Sequence, residues 1–157
     1  MAPRRTDLAK GDVVLKKITV GTDGSPTAAK AVDFAIDMAQ RYDAELVVAS
    51  SYVPVSETRL REEQRQAPGD VQWAISPSED VNATLHEVKE KAKECGVTVV
   101  TEAREGEPAQ VLVEIAEKHD ADVIIVGNRG MERRVLGSVP NSVSHKAPCS
   151  VMIVKTT

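Results

Sequence analysis

The chain contains 157 residues, of which 41% are hydrophobic and 28% are charged, and this balance is typical of one folded globular domain. A formal net charge of −4 and an aromatic content of 3% argue against a nucleic-acid partner, which needs a basic surface or rings on which bases stack. No stretch reaches the apolar length of a membrane span, and the polar first residues lack the apolar core of a secretion signal. We therefore expect a cytoplasmic protein that makes no membrane contact.

The predicted domain begins after a polar extension. Residues 1–14 form this extension, and residues 15–157 form the domain. A short apolar strand is predicted at Lys17–Val20, and Ser25 followed by Pro26 is typical of the start of a helix. That helix repeats its apolar residues at a spacing of three and four, which places them on one face: Val32, Ala35, Ile36 and Ala39.

The rest of the domain continues this alternation, with one long interruption. Tyr52–Pro77 contains three prolines and a mixed run of charges, and is predicted to be a long crossover or flap. Further strands are expected at Ala44–Ser51, Val97–Thr101, Ala121–Val126 and Ser150–Val154. Further helices are expected from Ser78 to Gly96, from Pro108 through Ala116, and over Gly137–Lys146.

Five short apolar strands that alternate with four helices predict a parallel sheet with helices on both faces. Right-handed crossovers between the strands make such a sheet open and doubly wound. The predicted fold class is therefore α/β, with a single open, doubly wound, five-stranded parallel sheet. In this class, ligands bind beyond the carboxyl ends of the strands, where the strand order reverses.

Two glycine-containing loops follow predicted strands at that edge of the sheet. The first, Gly21–Ser25, reads G-T-D-G-S, and its Asp23 could accept a hydrogen bond from a ribose hydroxyl or a base amine, or could only cap the next helix. The second, Gly127–Ser138, opens on glycine and ends at a helix start, where free N–H groups suit a phosphate. A tight strand-to-helix turn is the alternative. Three arginines in this loop could neutralise phosphate charge or remain solvated: Arg129, Arg133 and Arg134.

No set of residues in the sequence points to a catalytic reaction. Neither the dinucleotide-binding G-x-G-x-x-G nor the Walker A loop is present, and no serine elbow or metal motif accompanies the histidines. We therefore interpret His86, His119 and His145 as solvated helix residues. Cys95 and Cys149 form neither a metal spacing nor a C-x-x-C pair, and we interpret both as structural, reduced thiols.

Four motifs make the chain similar to the universal stress proteins over nearly all of Lys16–Lys155. They are I-T-V-G-T-D-G-S at Ile18–Ser25, V-I-I-V-G-N-R-G-M at Val123–Met131, L-G-S-V-P-N-S-V at Leu136–Val143 and P-C-S-V-M-I-V at Pro148–Val154. The resemblance implies the strand order 3-2-1-4-5, an adenine-nucleotide site and a homodimer.

The resemblance also implies which residues form the dimer and which bind the nucleotide. The dimer is expected through the last strand, residues 150–154. Asp23 is expected to meet the ribose or the adenine, and the backbone near Ser51 the adenine edge, while the loop glycines and Ser138 hold ribose and phosphates. The full expected site is Thr22, Asp23, Ser51, Val126, Gly127, Arg129, Gly130, Gly137, Ser138 and Val139.

One spacing departs from the pattern of the ATP-binding members. That pattern is G-x-x-G, then nine residues, then G-[S/T]. Here six residues, Met131–Leu136, separate Gly130 from Gly137. The difference removes up to about 10 Å of extended chain, so we expect triphosphate binding to suffer more than nucleoside recognition. We predict a stress-response protein that binds ATP, AMP or cyclic AMP, with Mg²⁺ if the ligand is ATP, and has no dedicated catalytic reaction. The alternatives are a dimeric interaction module that binds no nucleotide, and an adenylating or hydrolytic enzyme.

Overall fold

Strands and helices alternate along the chain, as the apolar pattern predicts. The computed structural model describes residues 15–52, 77–128 and 137–156. The elements in these residues are β1 (Lys17–Gly21), α1 (Pro26–Tyr42), β2 (Glu45–Tyr52), α2 (Pro77–Glu94), β3 (Val99–Glu105), α3 (Pro108–Lys118), β4 (Val123–Asn128), α4 (Ser138–Lys146) and β5 (Ser150–Lys155).

The five strands form one parallel sheet in the order β3-β2-β1-β4-β5. Strand order reverses at β1, because β2 lies on one side of it and β4 on the other. The α/β fold class and the strand order 3-2-1-4-5 are therefore confirmed. The point where ligands bind in such sheets is the carboxyl edge between β1 and β4.

Helices cover both faces of the sheet, and a core lies under each pair. On one face, Ile18 and Val20 of β1 pack with buried residues of α1 and α2, such as Val32 and Leu85. On the other face, buried residues of β2 and β4 pack with α3 and α4: Val47, Ala49, Ile124, Val126, Ile115 and Val143. Because both faces are buried, the inner strands read as continuous apolar runs in the sequence.

The start of α1 confirms the predicted cap. The Ser25 Oγ accepts a hydrogen bond from the Ala28 backbone N–H at 3.1 Å, and Pro26 occupies the first turn, where its missing N–H costs nothing. The alternative role considered for Asp23, as the cap of this helix, is therefore not what the structure shows.

The third strand was placed too early. The sequence predicts it at Val97–Thr101, but β3 runs over Val99–Glu105. Its second half, residues 101–105, is mostly polar, which an outer strand of the described sheet tolerates, and Glu102 and Arg104 pair with each other. Smaller shifts affect other ends: β4 extends to Asn128, and α2 begins at Pro77.

Several predictions fall outside the described residues. These are the polar extension at residues 1–14, most of the long crossover, and the three loop arginines. Within the residues that are described, no helix combines the length and apolar character needed to cross a lipid bilayer.

Candidate functional site

A cavity of about 320 Å³ lies at the carboxyl edge of the sheet, where β1, β2 and β4 end. This volume is at the lower end of the range of small-molecule sites, about 300–1,000 Å³. The first turns of α1, α3 and α4 complete its wall, through Thr27, Pro108 and Ser138. The cavity therefore lies where the strand order reverses, as the fold predicts.

Most of the residues expected to bind a ligand line this one cavity. They come from the first loop, from the ends of β2 and β4, and from the start of α4: Thr22, Asp23, Ser51, Val126, Gly127, Gly137, Ser138 and Val139. Arg129 and Gly130 lie outside the described residues. The two loops, far apart in the sequence, thus contribute to one site, and their contact with a ligand stays a prediction.

The first loop is held in place by hydrogen bonds to β2 and within itself. The Thr22 backbone N–H donates to the Ala49 carbonyl at 2.9 Å, and the buried Ser50 Oγ donates to the Thr22 carbonyl at 2.7 Å. The Asp23 Oδ1 accepts from the Ser25 N–H at 2.9 Å. Gly24 has φ +78°, a conformation that glycine adopts without strain. The loop therefore presents Asp23 from a fixed backbone.

Three helix N-termini meet the cavity, and their first N–H groups differ in what they bond to. At α1, the Ser25 side chain is the cap. At α3, the Glu107 carboxylate accepts from the Ala109 N–H at 3.1 Å and from the Gln110 N–H at 2.9 Å. The hydrogen bonds from the Gln110 and Ala109 backbone lower the pKa of Glu107, so the carboxylate is ionised at neutral pH.

The third N-terminus, that of α4, is different. Its N-cap is Gly137, and no side-chain hydrogen bond caps it in the described structure. The N–H groups of Ser138 and Val139 begin this helix, and both residues line the cavity. Free N–H groups and the positive end of the helix dipole favour an anion. Of the three helix starts, α4 is the one that offers such groups to a ligand.

The sequence interpretation missed Asn128, the last residue of β4. Its Oδ1 accepts a hydrogen bond from the Gly137 N–H at 2.9 Å, and its carbonyl accepts one from the Thr156 Oγ1 at 2.9 Å. Asn128 is 1% exposed. No signal in the sequence points to this role, because the burial of Asn128 and its hydrogen bond to a distant element arise only in the folded chain.

The apolar wall from α3 was also missed. Pro108, Val111 and Leu112 line the cavity, although they are far in sequence from both loops. Leu112 packs so close to Gly21 that a Cβ there would lie 3.0 Å from the Leu112 Cδ2. This wall is suited to the flat, apolar face of a base or a sugar.

The described lining residues bring one negative charge to the cavity. Among the described lining residues, Asp23 is the one with a charged side chain. The described residues also contain no group of three or more histidine, cysteine, aspartate or glutamate side chains that could hold a metal ion.

The interpretation of His119 was wrong. His86 and His145 are exposed, but His119 lies with its Nε2 2.8 Å from the Glu102 Oε2, and its side chain is 18% exposed. Burial raises the pKa of Glu102, but hydrogen bonds from His119, Lys118 and Arg104 outweigh burial and lower it to about 2. The partner on β3 is 17 residues away, which helix spacing alone does not reveal.

The open parallel sheet, with a cavity where its strand order reverses, places the chain in the doubly wound α/β class. The chain belongs to the universal stress protein family, whose family model matches residues 15–155. The suspected resemblance is confirmed.

Two relatives and one solved structure show how close the match is. The chain is 38% identical over 148 residues to universal stress protein Rv1636 of Mycobacterium tuberculosis, with 90% of this chain and 97% of that protein covered. It is 38% identical over 154 residues to universal stress protein MJ0531 of Methanocaldococcus jannaschii, with 94% and 86% covered. A crystal structure of a universal stress protein in complex with cAMP matches with a TM-score of 0.68 and 32% identity, covering 92% of this chain and 100% of that one.

Proposed function

We propose that this chain is a nucleotide-binding stress-response protein, which binds an adenine nucleotide in the cavity without carrying out a dedicated reaction. The observation that carries the proposal is the pairing of two groups in one cavity: the open N-terminus of α4 and the Asp23 carboxylate. The 32% identity to a universal stress protein crystallised with cAMP supports the same ligand class.

The proposal assigns the two ends of a nucleotide to different parts of the cavity. Asp23 accepts a hydrogen bond from a ribose hydroxyl or from the adenine amine, and the backbone near Ser51 meets the adenine edge. The apolar wall of α3 packs against the base. The phosphate lies at the start of α4, against the N–H groups of Ser138 and Val139.

The short loop favours compact phosphates. Six residues separate Gly130 from Gly137, so the loop has less chain with which to surround a triphosphate. Arg133 and Arg134 would supply charge near the phosphate. We expect cyclic AMP or AMP to bind at least as tightly as ATP, and Mg²⁺ to matter only for ATP.

A second candidate function is an interaction module that has lost its ligand and acts through a dimer surface. The observation that favours it is β5, an outer strand of the described sheet, with four consecutive half-exposed apolar residues: Val151, Met152, Ile153 and Val154. We propose a cytoplasmic homodimer through this strand in either case, so the two functions are separated by ligand binding.

Calorimetry with ATP, ADP, AMP and cyclic AMP tests the proposal, with inorganic phosphate as the control for binding of an anion alone. Binding of at least one nucleotide, more tightly than phosphate, is the expected result. No heat for any of the four at about millimolar concentration, which corresponds to about −4 kcal/mol, would leave the interaction module as the function. A tenfold or greater preference for ATP, about 1.4 kcal/mol, would contradict the effect assigned to the short loop.

Measuring ATP turnover distinguishes the proposed binding protein from the third alternative, an adenylating or hydrolytic enzyme. The described part of the cavity contributes one titratable side chain, Asp23, and general acid–base catalysis uses a donor or acceptor placed at the reacting atom. Steady-state assays are therefore expected to find no ATP turnover above a slow background. Mass spectrometry of the ligand released from the purified, denatured protein identifies which nucleotide it carries.

A further inference from the structure

Asn128 lies at the junction between β4 and α4 and is fixed from both sides. Its carbonyl accepts a hydrogen bond from the Thr156 Oγ1, and its side-chain Oδ1 accepts one from the Gly137 N–H. The Thr156 carbonyl in turn accepts from the Lys30 Nζ of α1 at 3.0 Å. The amide of Asn128 is therefore held against the sheet while it reaches the N-cap of α4.

This hydrogen bond joins the end of β4 directly to the start of α4. Asn128 is the last residue of β4 and Gly137 is the N-cap of α4, and the Asn128 side chain spans their nine-residue separation in the sequence. One side chain thus ties the start of α4 to the end of β4.

Asn128 positions the helix without occupying the donors that a ligand needs. A usual cap accepts from the second or third N–H of its helix, as the Ser25 side chain does for α1 and Glu107 for α3. Asn128 accepts instead from the N-cap residue itself, Gly137. Among the described residues, no side-chain cap occupies the N–H groups of Ser138 and Val139, and Pro140, next in the helix, has no N–H to offer.

The two polar atoms of the buried Asn128 amide differ in hydrogen bonding, which also indicates that its acceptor oxygen is the atom that matters. Its Nδ2 has no hydrogen-bond acceptor in the part of the chain that the structure describes, and burying such a group costs folding free energy. An apolar residue would fill the position without this cost. The value of asparagine here is its acceptor atom, which faces the start of α4.

We infer that Asn128 is a positioning residue for the phosphate of the ligand: it aims the N-terminus of α4 into the cavity and so favours phosphorylated adenine ligands over the nucleoside. The inference rests on the proposed nucleotide binding. Nucleoside recognition uses Asp23, Ser51 and the α3 wall, which Asn128 does not contact through any hydrogen bond described for it.

The test compares AMP with adenosine in calorimetry. Asn128→Leu keeps a branched side chain but removes the acceptor, and is expected to reduce the preference for AMP over adenosine by about three- to tenfold, with adenosine affinity little changed. Ser144→Ala is the matched control, because it also removes one hydrogen bond in α4, from the Ser144 Oγ to the Asn141 carbonyl, away from the cavity. The control should keep the preference of the wild type. Equal weakening of both ligands by Asn128→Leu would reduce Asn128 to a structural role and overturn the inference.

A second pair of variants tests the same bond from its other end. Gly137 has φ −61°, close to the angle that proline adopts, so Gly137→Pro removes the N–H donor with little backbone change, and Gly137→Ala adds a side chain but keeps the donor. The proline variant is expected to prefer AMP less than the alanine variant does. Asn128→Leu should lower the preference further in the alanine background and not in the proline background. A loss that persists in the proline background would mean that Asn128 acts through another contact.

The outcomes also distinguish this inference from the proposed function. A wild type that binds neither adenosine nor AMP overturns both. A wild type that binds the two with equal affinity retains nucleoside recognition and overturns the role of Asn128. If Asn128→Leu does not fold, as judged by circular dichroism, the comparison of Gly137→Pro with Gly137→Ala decides the question alone.

Discussion

Asp23 carries the charge that the described residues bring to the cavity, and it is presented by a loop fixed to β2. Asp23→Ala is expected to weaken adenine-nucleotide binding by about ten- to a hundredfold, because a charge-assisted hydrogen bond contributes roughly 1.5–3 kcal/mol. Calorimetry with AMP measures the loss. Asp37→Ala is the control, since Asp37 is an exposed residue of α1 that pairs with Arg41. Unchanged affinity in Asp23→Ala would assign Asp23 to the structure of its own loop, where it accepts from the Ser25 N–H.

Glu102 makes the free energy of unfolding depend on pH in the acid range. Its pKa is lowered to about 2, whereas an unfolded glutamate titrates near about 4.3. Between these values the unfolded chain binds more protons, so the contribution of Glu102 is complete above about pH 4.3 and is lost as the pH falls toward about 2. Glu102→Gln is expected to lower the free energy of unfolding at neutral pH and to flatten its fall between about pH 5 and about pH 3.

Urea unfolding at several pH values measures this effect, with Glu105→Gln as the control at an exposed end of the same strand. A slope for Glu102→Gln equal to that of the wild type would show that the ion pairs of Glu102 contribute nothing to acid stability. The His119 ring is one partner of this carboxylate, so His119→Ala should weaken the same dependence in part.

The site could be predicted where a glycine-containing segment links the end of a strand to the start of a helix. Asp23 stands in such a segment after β1 and Ser138 begins the helix after β4, and parallel strands bring their carboxyl ends to one edge. Leu112 and Asn128 were not, because their roles come from packing and from one hydrogen bond between distant elements. Spacing in the sequence carries neither kind of information.

At the scale of elements, the helices around the cavity differ in capping: side chains cap α1 and α3, and none caps α4 in the described structure. Glu107→Ala removes the carboxylate that accepts from two N–H groups of α3, and is expected to lower the free energy of unfolding by about 1 kcal/mol. Because the pKa of Glu107 is lowered, this stability is present at neutral pH and is lost as acid protonates the carboxylate. Thermal unfolding at neutral pH measures the change.

Glu117→Ala is the matched control for this prediction, since it removes a carboxylate from the last turn of α3, where an acidic side chain is unfavourable to the helix dipole. It should leave the melting temperature unchanged or raise it slightly. An equal loss in both variants would assign the effect to net charge and not to the cap.

The misplacement of β3 has a physical cause in the polar residues of its second half. Inner strands such as β4 are buried on both faces and read as apolar runs, so they were located within two residues. β3 is an outer strand of the described sheet, and two of its later residues, Glu102 and Arg104, form an ion pair with each other. Arg104 also pairs with Glu114 of α3. The polar character of these β3 residues resembles that of a loop in the sequence.

At the scale of the whole molecule, the alternation of strands and helices was sufficient to predict an open parallel sheet, because connections of this kind are nearly always right-handed. It was not sufficient to order the strands. The order 3-2-1-4-5 followed from the motifs shared with the universal stress proteins, since local apolar patterns do not specify which strands become neighbours. The order matters for function, because it places β5 at the border of the sheet.

The position of β5 leads to the prediction about assembly. Met152 and Val154 pack beside the α1 and α2 core, and Val151 and Ile153 beside the α3 and α4 core, so the strand presents apolar side chains on both faces of an outer edge. Such an edge invites pairing with another chain. Light scattering at about micromolar concentration is expected to find a homodimer.

Substitution of both Met152→Lys and Val154→Lys places two charges at this edge and is expected to give a folded monomer. Val100→Lys provides the control, because Val100 is 37% exposed on β3, the opposite outer strand of the described sheet, and the dimer should survive it. Circular dichroism verifies that each variant is folded. A wild-type monomer contradicts the prediction, as does a dimer that persists with both lysines in β5. Dissociation by Val100→Lys alone would move the interface to β3, since charge added at an edge disrupts only the pairing made there.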